Sequence, residues 1–174
     1  SAFDGPGGQP GKSPACPYGG SDRPLKKGDL VFIDIGYPFQ EYYVDKTRLF
    51  SFGRKPDPAV TDAHRICLLV QEAVRARLRP GAMPSRIYEE VMESVVAPAR
   101  FEEHFMGFGS NKVKFLGHGI GLAVSEYPVI AKKFDDPLEE NMTIAVEPKK
   151  GIAGVGLAGI ENTFLVKPGG GENL

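Results

Sequence analysis

Four acidic residues stand where apolar runs end or begin. Asp34 closes LVFID and Glu147 closes TIAVE, while Asp45 and Glu161 open DKTRLF and ENTFLV, two segments of the pattern acid-x-Thr-x-Leu-apolar. If each half is a β-hairpin, register decides where the carboxylates fall. A four-residue turn at Pro38 to Glu41 sets Tyr37 against Tyr42 and Asp34 directly opposite Asp45, and a count centred on Gly154 sets Glu147 opposite Glu161. Directly opposed Cβ atoms lie about 4.5–5.5 Å apart, and like charges there are destabilising. At about 5 Å and an effective dielectric of about 20 the repulsion is about 3 kcal/mol. A single strand acid ordinarily escapes this cost by facing solvent. Four acids at equivalent places in two similar hairpins call for a shared counter-charge, and two divalent cations match four carboxylates. Metal pairs about 3.5–4 Å apart serve hydrolases by activating water between them.

A neutral ligand would complete such a site. His118, in Gly117-His118-Gly119-Ile120-Gly121, is the candidate, because its glycine neighbours let backbone and substrate approach a ring at the end of a strand. His64 and His104, on or beside helical segments, read as structural. Oxygen-rich ligation with one imidazole suits Mn²⁺, with Co²⁺, Zn²⁺ or Fe²⁺ as alternatives, since affinity order alone does not select the ion.

The elements that must position these groups follow from pattern. Residues 29–52, rich in Val, Ile, Phe and Tyr and broken near Pro38, predict a hairpin. From Thr61, read as an N-cap, Ile66, Leu69, Val70, Ala73 and Leu78 recur at helical spacing until Pro80-Gly81. A second helix is expected from Pro84-Ser85 to about Pro98, with Ile87, Val91, Met92 and Val95 inward. A strand near Val113 to Leu116 and a second hairpin, MTIAVEP and GIENTFLV around a glycine-rich connection, complete an α+β chain. Residues 1–20, with six Gly and four Pro, read as loop.

Composition narrows the function. With 21 Lys+Arg against 22 Asp+Glu, no basic excess exists to bind phosphate backbones or anionic lipid, so nucleic acid and membrane are not expected partners. No apolar run reaches the roughly 20 residues of a membrane helix. Cys16 and Cys67 form no CxxC or disulfide-scaffold spacing, which fits a reducing, cytoplasmic compartment.

In order and spacing, GDLVFIDIG, YYVDKTRLFSFG, FLGHGIGL, AVEP and IENTFLV resemble the successive motifs of the metallopeptidases that include methionine aminopeptidase, aminopeptidase P and prolidase. The resemblance runs from about Ser21 to Pro168. It implies the pita-bread fold, a curved antiparallel sheet with helices on its outer face and two halves related by pseudo-twofold symmetry. It further implies that Asp34, Asp45, His118, Glu147 and Glu161 are the five ligands of a dinuclear centre, with Glu147 also general base and proton shuttle. The activity implied is Xaa-Pro peptide cleavage by a metal-bridging hydroxide.

The chain departs from that pattern at three positions. Relatives of the aminopeptidase P and prolidase type usually carry histidines where this chain has Pro17 and Ser125, and an arginine where it has Gly159. Ser125 is thus a candidate substrate contact, with capping of a turn as its plainer role. These departures leave open a non-peptide substrate, as for creatine amidinohydrolase, and a catalytically inactive binding module on the same fold. Because a helical pair precedes the second hairpin and none precedes the first, residues 21–174 read as the C-terminal part of a catalytic domain. The missing N-terminal part of the same protein, or a second copy in a homodimer, is then expected to cover an apolar face.

Overall fold

The first hairpin pairs β1 (Leu30–Phe39) with β2 (Tyr42–Ser51). Its turn contains only Gln40 and Glu41, at φ 49° and 72°, not the four residues expected from Pro38. Such two-residue turns follow the right-handed twist of the strands they join. The register is therefore corrected: Asp34 faces Thr47 and Asp45 faces Gly36. The shift is two residues, one full side-chain period, so both acids keep the same face and become diagonal neighbours. A directly opposed pair is avoided, with a hydroxyl and a glycine in its place.

The structure, a computed structural model, describes residues 22–108 and 112–174; the expected loop at 1–20, with Cys16 and Pro17, lies outside the described residues. After the hairpin comes α1 (Pro58–Arg75), which is capped by Asp57 and not by Thr61. The Asp57 carboxylate accepts from the Ala59 N–H at 2.8 Å, and Pro58 takes the first helical position, where a missing N–H costs nothing. The buried stripe is Val60, Ala63, Cys67, Val70 and Val74, while Leu69 is exposed and Leu78 is buried in the turn beyond the helix. α2 (Pro84–Val91) runs into one π-helical turn, Met92–Val96, and buries Ile87, Val91 and Val96.

An antiparallel sheet then forms from β3 (Phe115–Gly119), β4 (Glu126–Ala131), β5 (Thr143–Val146), β8 (Asn162–Leu165) and β9 (Glu172–Asn173), in the order β4-β3-β5-β8-β9. β3 starts later than expected and carries His118 within it. The glycine-rich connection is itself a hairpin, β6 (Lys149–Ile152) with β7 (Gly156–Gly159). Val146 pairs with Asn162 and Lys149 with Gly159, so the same count runs through both ladders and sets Glu147 across from Glu161, as the centring on Gly154 anticipated. Pro148, which has no N–H, marks the break between ladders, and its carbonyl accepts from Ile160.

The core lies between helices and strands. α1 packs on β5, β6 and β7, and α2 on β4, around Cys67, Val70, Leu116, Ile130, Val146 and Phe164. The β1–β2 hairpin lies against β5, β7 and β8 on one face, while Ile35, Tyr37, Phe39, Tyr42 and Val44 on its other face are exposed. No helix among the described residues is long and apolar enough to cross a membrane.

Candidate metal centre

Four strand segments bring three of the acids and the histidine together. Asp45 comes from β2, His118 from β3, Glu147 from the residue after β5 and Glu161 from the residue before β8. One ligand atom from each of Asp45, His118 and Glu161 lies within 4.8 Å of the others. Glu147 Oε1 adjoins them, 3.4 Å from His118 Nε2. Asp34, on β1, is exposed at the edge of the cluster, and its charge acts on Asp45, Glu161 and Lys149. His64 and His104 stand outside this group, as expected of structural residues.

Reciprocal hydrogen bonds fasten the two acid-x-Thr segments to each other. Thr47 Oγ1 donates to Glu161 Oε2 at 2.9 Å, and Thr163 Oγ1 donates to the Asp45 carbonyl at 3.3 Å. Arg48 adds bonds to the Glu161 carbonyl and to Asn162 Oδ1. Each threonine of the repeat thus holds the acid residue of the other copy. That is the local reason Asp45 and Glu161 meet although they are 116 positions apart in the chain.

The electrostatics are those of buried carboxylates that outnumber the cations beside them. Burial, reinforced by Asp34 and Glu147, pushes the Asp45 carboxyl up to about 6. Burial and the charges of Glu147, Asp45 and Asp34 push Glu161 up to about 8. Burial also opposes the ionisation of Glu147, but hydrogen bonds from His118 and Lys149 and the charges of both outweigh it and hold this carboxyl below its usual range. For His118, burial disfavours the cation. The hydrogen bonds to Glu147 and Gly119 and the charges of Glu147 and Glu161 prevail and raise it.

Three observations fit this site to divalent metal. Asp45 Oδ1 and Glu161 Oε1 are buried with no hydrogen-bond partner, an arrangement that costs about 1–3 kcal/mol per atom unless something binds there. The His118 Nδ1–H donates to the Gly119 carbonyl at 2.9 Å, which turns Nε2 toward the acids; protonated, Nε2 donates to Glu147, and deprotonated it would offer its lone pair to a metal, the usual way an imidazole is oriented for one. The donors themselves, carboxylate oxygens with one imidazole, are those hard divalent ions take.

Sequence reasoning missed Lys149. Its ammonium is hydrogen-bonded to Glu147 Oε2, and the side chain is only 5% exposed, beside Glu147 at 8% and Glu161 at 1%. The missed signal was strand alternation, which puts residue 149 on the same side as residue 147. Its cross-strand partner is Gly159, where a Cβ would come 2.8 Å from the Lys149 Cβ and 2.9 Å from the Pro148 carbonyl oxygen. No side chain can therefore enter at position 159 without moving backbone. Ser125 is exposed between β3 and β4, and the turn there is held by Glu126, whose carboxylate accepts from the Ala123 N–H, not by Ser125.

Comparison with known proteins identifies the family. The model of metallopeptidase family M24 matches residues 9–168. The chain is 31% identical over 161 residues to an Xaa-Pro dipeptidase of Pyrococcus horikoshii, covering 92% of this chain and 43% of that protein. The crystal structure of an X-Pro aminopeptidase from Thermotoga maritima superimposes with a TM-score of 0.77 at 31% identity, over 88% of this chain and 41% of the other. That of dipeptidase PepE from Mycobacterium ulcerans gives 0.76 at 33% identity, over 88% and 39%. The chain thus spans less than half the length of these relatives, and its strands and helices are those of their pita-bread fold. With a family model matched over residues 9–168 and a relative 31% identical over 92% of its length, the chain belongs to metallopeptidase family M24.

Proposed function

We propose that this chain carries the metal centre of a peptidase that cleaves Xaa-Pro bonds. The observation that carries the reading is the convergence of Asp45, His118 and Glu161 with two buried carboxylate oxygens left unpaired. Asp34 and Glu147 complete the ligand set at its edges, and two divalent ions, Mn²⁺ first among them, would occupy it. When bound, such ions supply Lewis acidity and an activated water. Asp45 and Glu161 hold the centre of the cluster, Asp34 faces the open side, and His118 is fixed in one tautomer by Gly119. Glu147 sits where a carboxylate can take a proton and return it to the leaving amine.

The test has two parts. Titration of the chain with Mn²⁺, followed by calorimetry, is expected to show saturable binding that chelation reverses, with a melting temperature raised by loading. In the full-length enzyme Glu147→Gln is expected to cut kcat on Xaa-Pro dipeptides by at least a hundredfold with little change in KM. Ser125→His, which restores the histidine of related peptidases, is expected to raise hydrolysis. Metal binding without cleavage of any peptide by either wild type or Ser125→His would turn the assignment toward a non-peptide substrate. Absence of metal binding would turn it toward a binding module.

A further inference from the structure

Lys149 is the one lysine or arginine whose side chain bonds a carboxylate of the acid cluster among the described residues, and nothing in the ligand scheme above uses it. Its ammonium holds Glu147 Oε2, and Glu161 and Asp34 lie within its electrostatic reach. The other oxygen of Glu147 faces His118 Nε2. Both oxygens of this carboxylate are therefore engaged, whereas Asp45 Oδ1 and Glu161 Oε1 are unpaired. The cluster is thus open at Asp45 and Glu161 and closed at Glu147. The Glu147 oxygen that carries the ammonium keeps one lone pair to offer a metal ion, but an ion that took it would stand beside a second positive charge, so the ammonium and the metal compete for this carboxylate.

We propose that Lys149 is a tethered counter-cation that holds Glu147 in the metal-free site and competes with metal for it. The proposal rests on the metal-centre reading and adds a regulator to it. Without metal, the ammonium lowers the repulsion among the four acids and favours the folded chain. With metal, the same charge repels the incoming ions and competes with them for Glu147. Lys149 therefore acts with opposite sign on the stability of the metal-free protein and on its affinity for metal, a combination that simple packing does not produce. The geometry of β6 supports the assignment: Gly159 directly opposite leaves room for Lys149 where a side chain would collide with it.

The experiment compares wild type, Lys149→Met, which keeps length and removes charge, and Lys149→Gln. Mn²⁺ affinity is measured by calorimetry, and thermal melting is followed by circular dichroism with and without Mn²⁺. Both variants are expected to melt several degrees below wild type without metal, to bind Mn²⁺ at least tenfold more tightly, and to regain wild-type stability when loaded. A variant that folds only with Mn²⁺ supports the same conclusion. Equal or weaker affinity in folded variants overturns the proposal and leaves the metal centre intact. Failure to fold even with Mn²⁺ also overturns it, since Lys149 would then be needed after loading. If wild type binds no Mn²⁺, the metal-centre reading falls, and this proposal with it.

Discussion

Asp45 and Glu161 show what burial among like charges does to a carboxylate. Their ordinary values are 3.8 and 4.5, and in the folded, metal-free chain they rise to about 6 and about 8. Between the ordinary and the raised values the folded chain holds more protons than the unfolded chain. The contribution is therefore fully present below about pH 4 and is lost as pH rises through about 6 and then about 8. The raised His118 acts in the same direction. Glu147, held low, acts oppositely but only as pH falls through the acid range, where its carboxylate is protonated. The melting temperature of the chelated protein should fall by several degrees between about pH 5 and pH 8, and Asp45→Asn should remove the earlier part of that fall. In Mn²⁺ the order reverses: Asp45→Asn should melt below wild type, because it has lost a ligand charge that metal would neutralise. A chelated wild type that grows more stable from pH 5 to pH 8 would refute this account of the two acids.

At the scale of elements, the first turn is where reading and structure part. Gln40 and Glu41 occupy a left-handed conformation that Asn and Gly adopt at little cost and that other residues adopt with strain. The usual sequence mark of a two-residue turn, Asn-Gly, is absent, so Pro38 looked like part of the turn although it belongs to β1. Gln40→Asn with Glu41→Gly should raise stability by about 1 kcal/mol and leave Mn²⁺ affinity unchanged, because the turn lies outside the cluster. A loss of stability would mean that the present side chains make contacts worth more than the strain. The miscount did not hide the site, since a two-residue slip preserves the face of every side chain. The second hairpin was legible even in register, because Gly154 does lie at the centre of both ladders. The start of α1 was not, because Thr61 and Asp57 are both acceptable caps by type, and only the Asp57–Ala59 hydrogen bond decides between them. Lys149 escaped for another reason. Lysine on a short strand beside a second lysine reads as a solvated surface until the sheet shows which way it faces.

At the scale of the whole molecule, the two hairpins are treated unequally. The β6–β7 ladder is covered by α1, whereas Ile35, Tyr37, Phe39, Tyr42 and Val44 on the outer face of β1–β2 are exposed together. Scattered apolar residues on a surface need no explanation, but a contiguous ribbon of large ones on a strand pair is a surface that water leaves readily. Lys46 and Arg48 share this face and interrupt it, and exposed Ile33 and Phe50 continue it toward Ser51. This arrangement predicts that the chain on its own binds a hydrophobic dye and self-associates with rising concentration, through this face and not through the acid cluster behind it. Phe39→Lys combined with Tyr42→Glu places an opposed charge pair at the tip of the ribbon. It should reduce dye binding and association severalfold in sedimentation velocity, while Mn²⁺ affinity stays at the wild-type value. If association persists unchanged, the contact lies elsewhere. If metal affinity falls with it, the two faces of the hairpin are coupled, and the ribbon would have to be counted as part of what holds Asp34 and Asp45 in place.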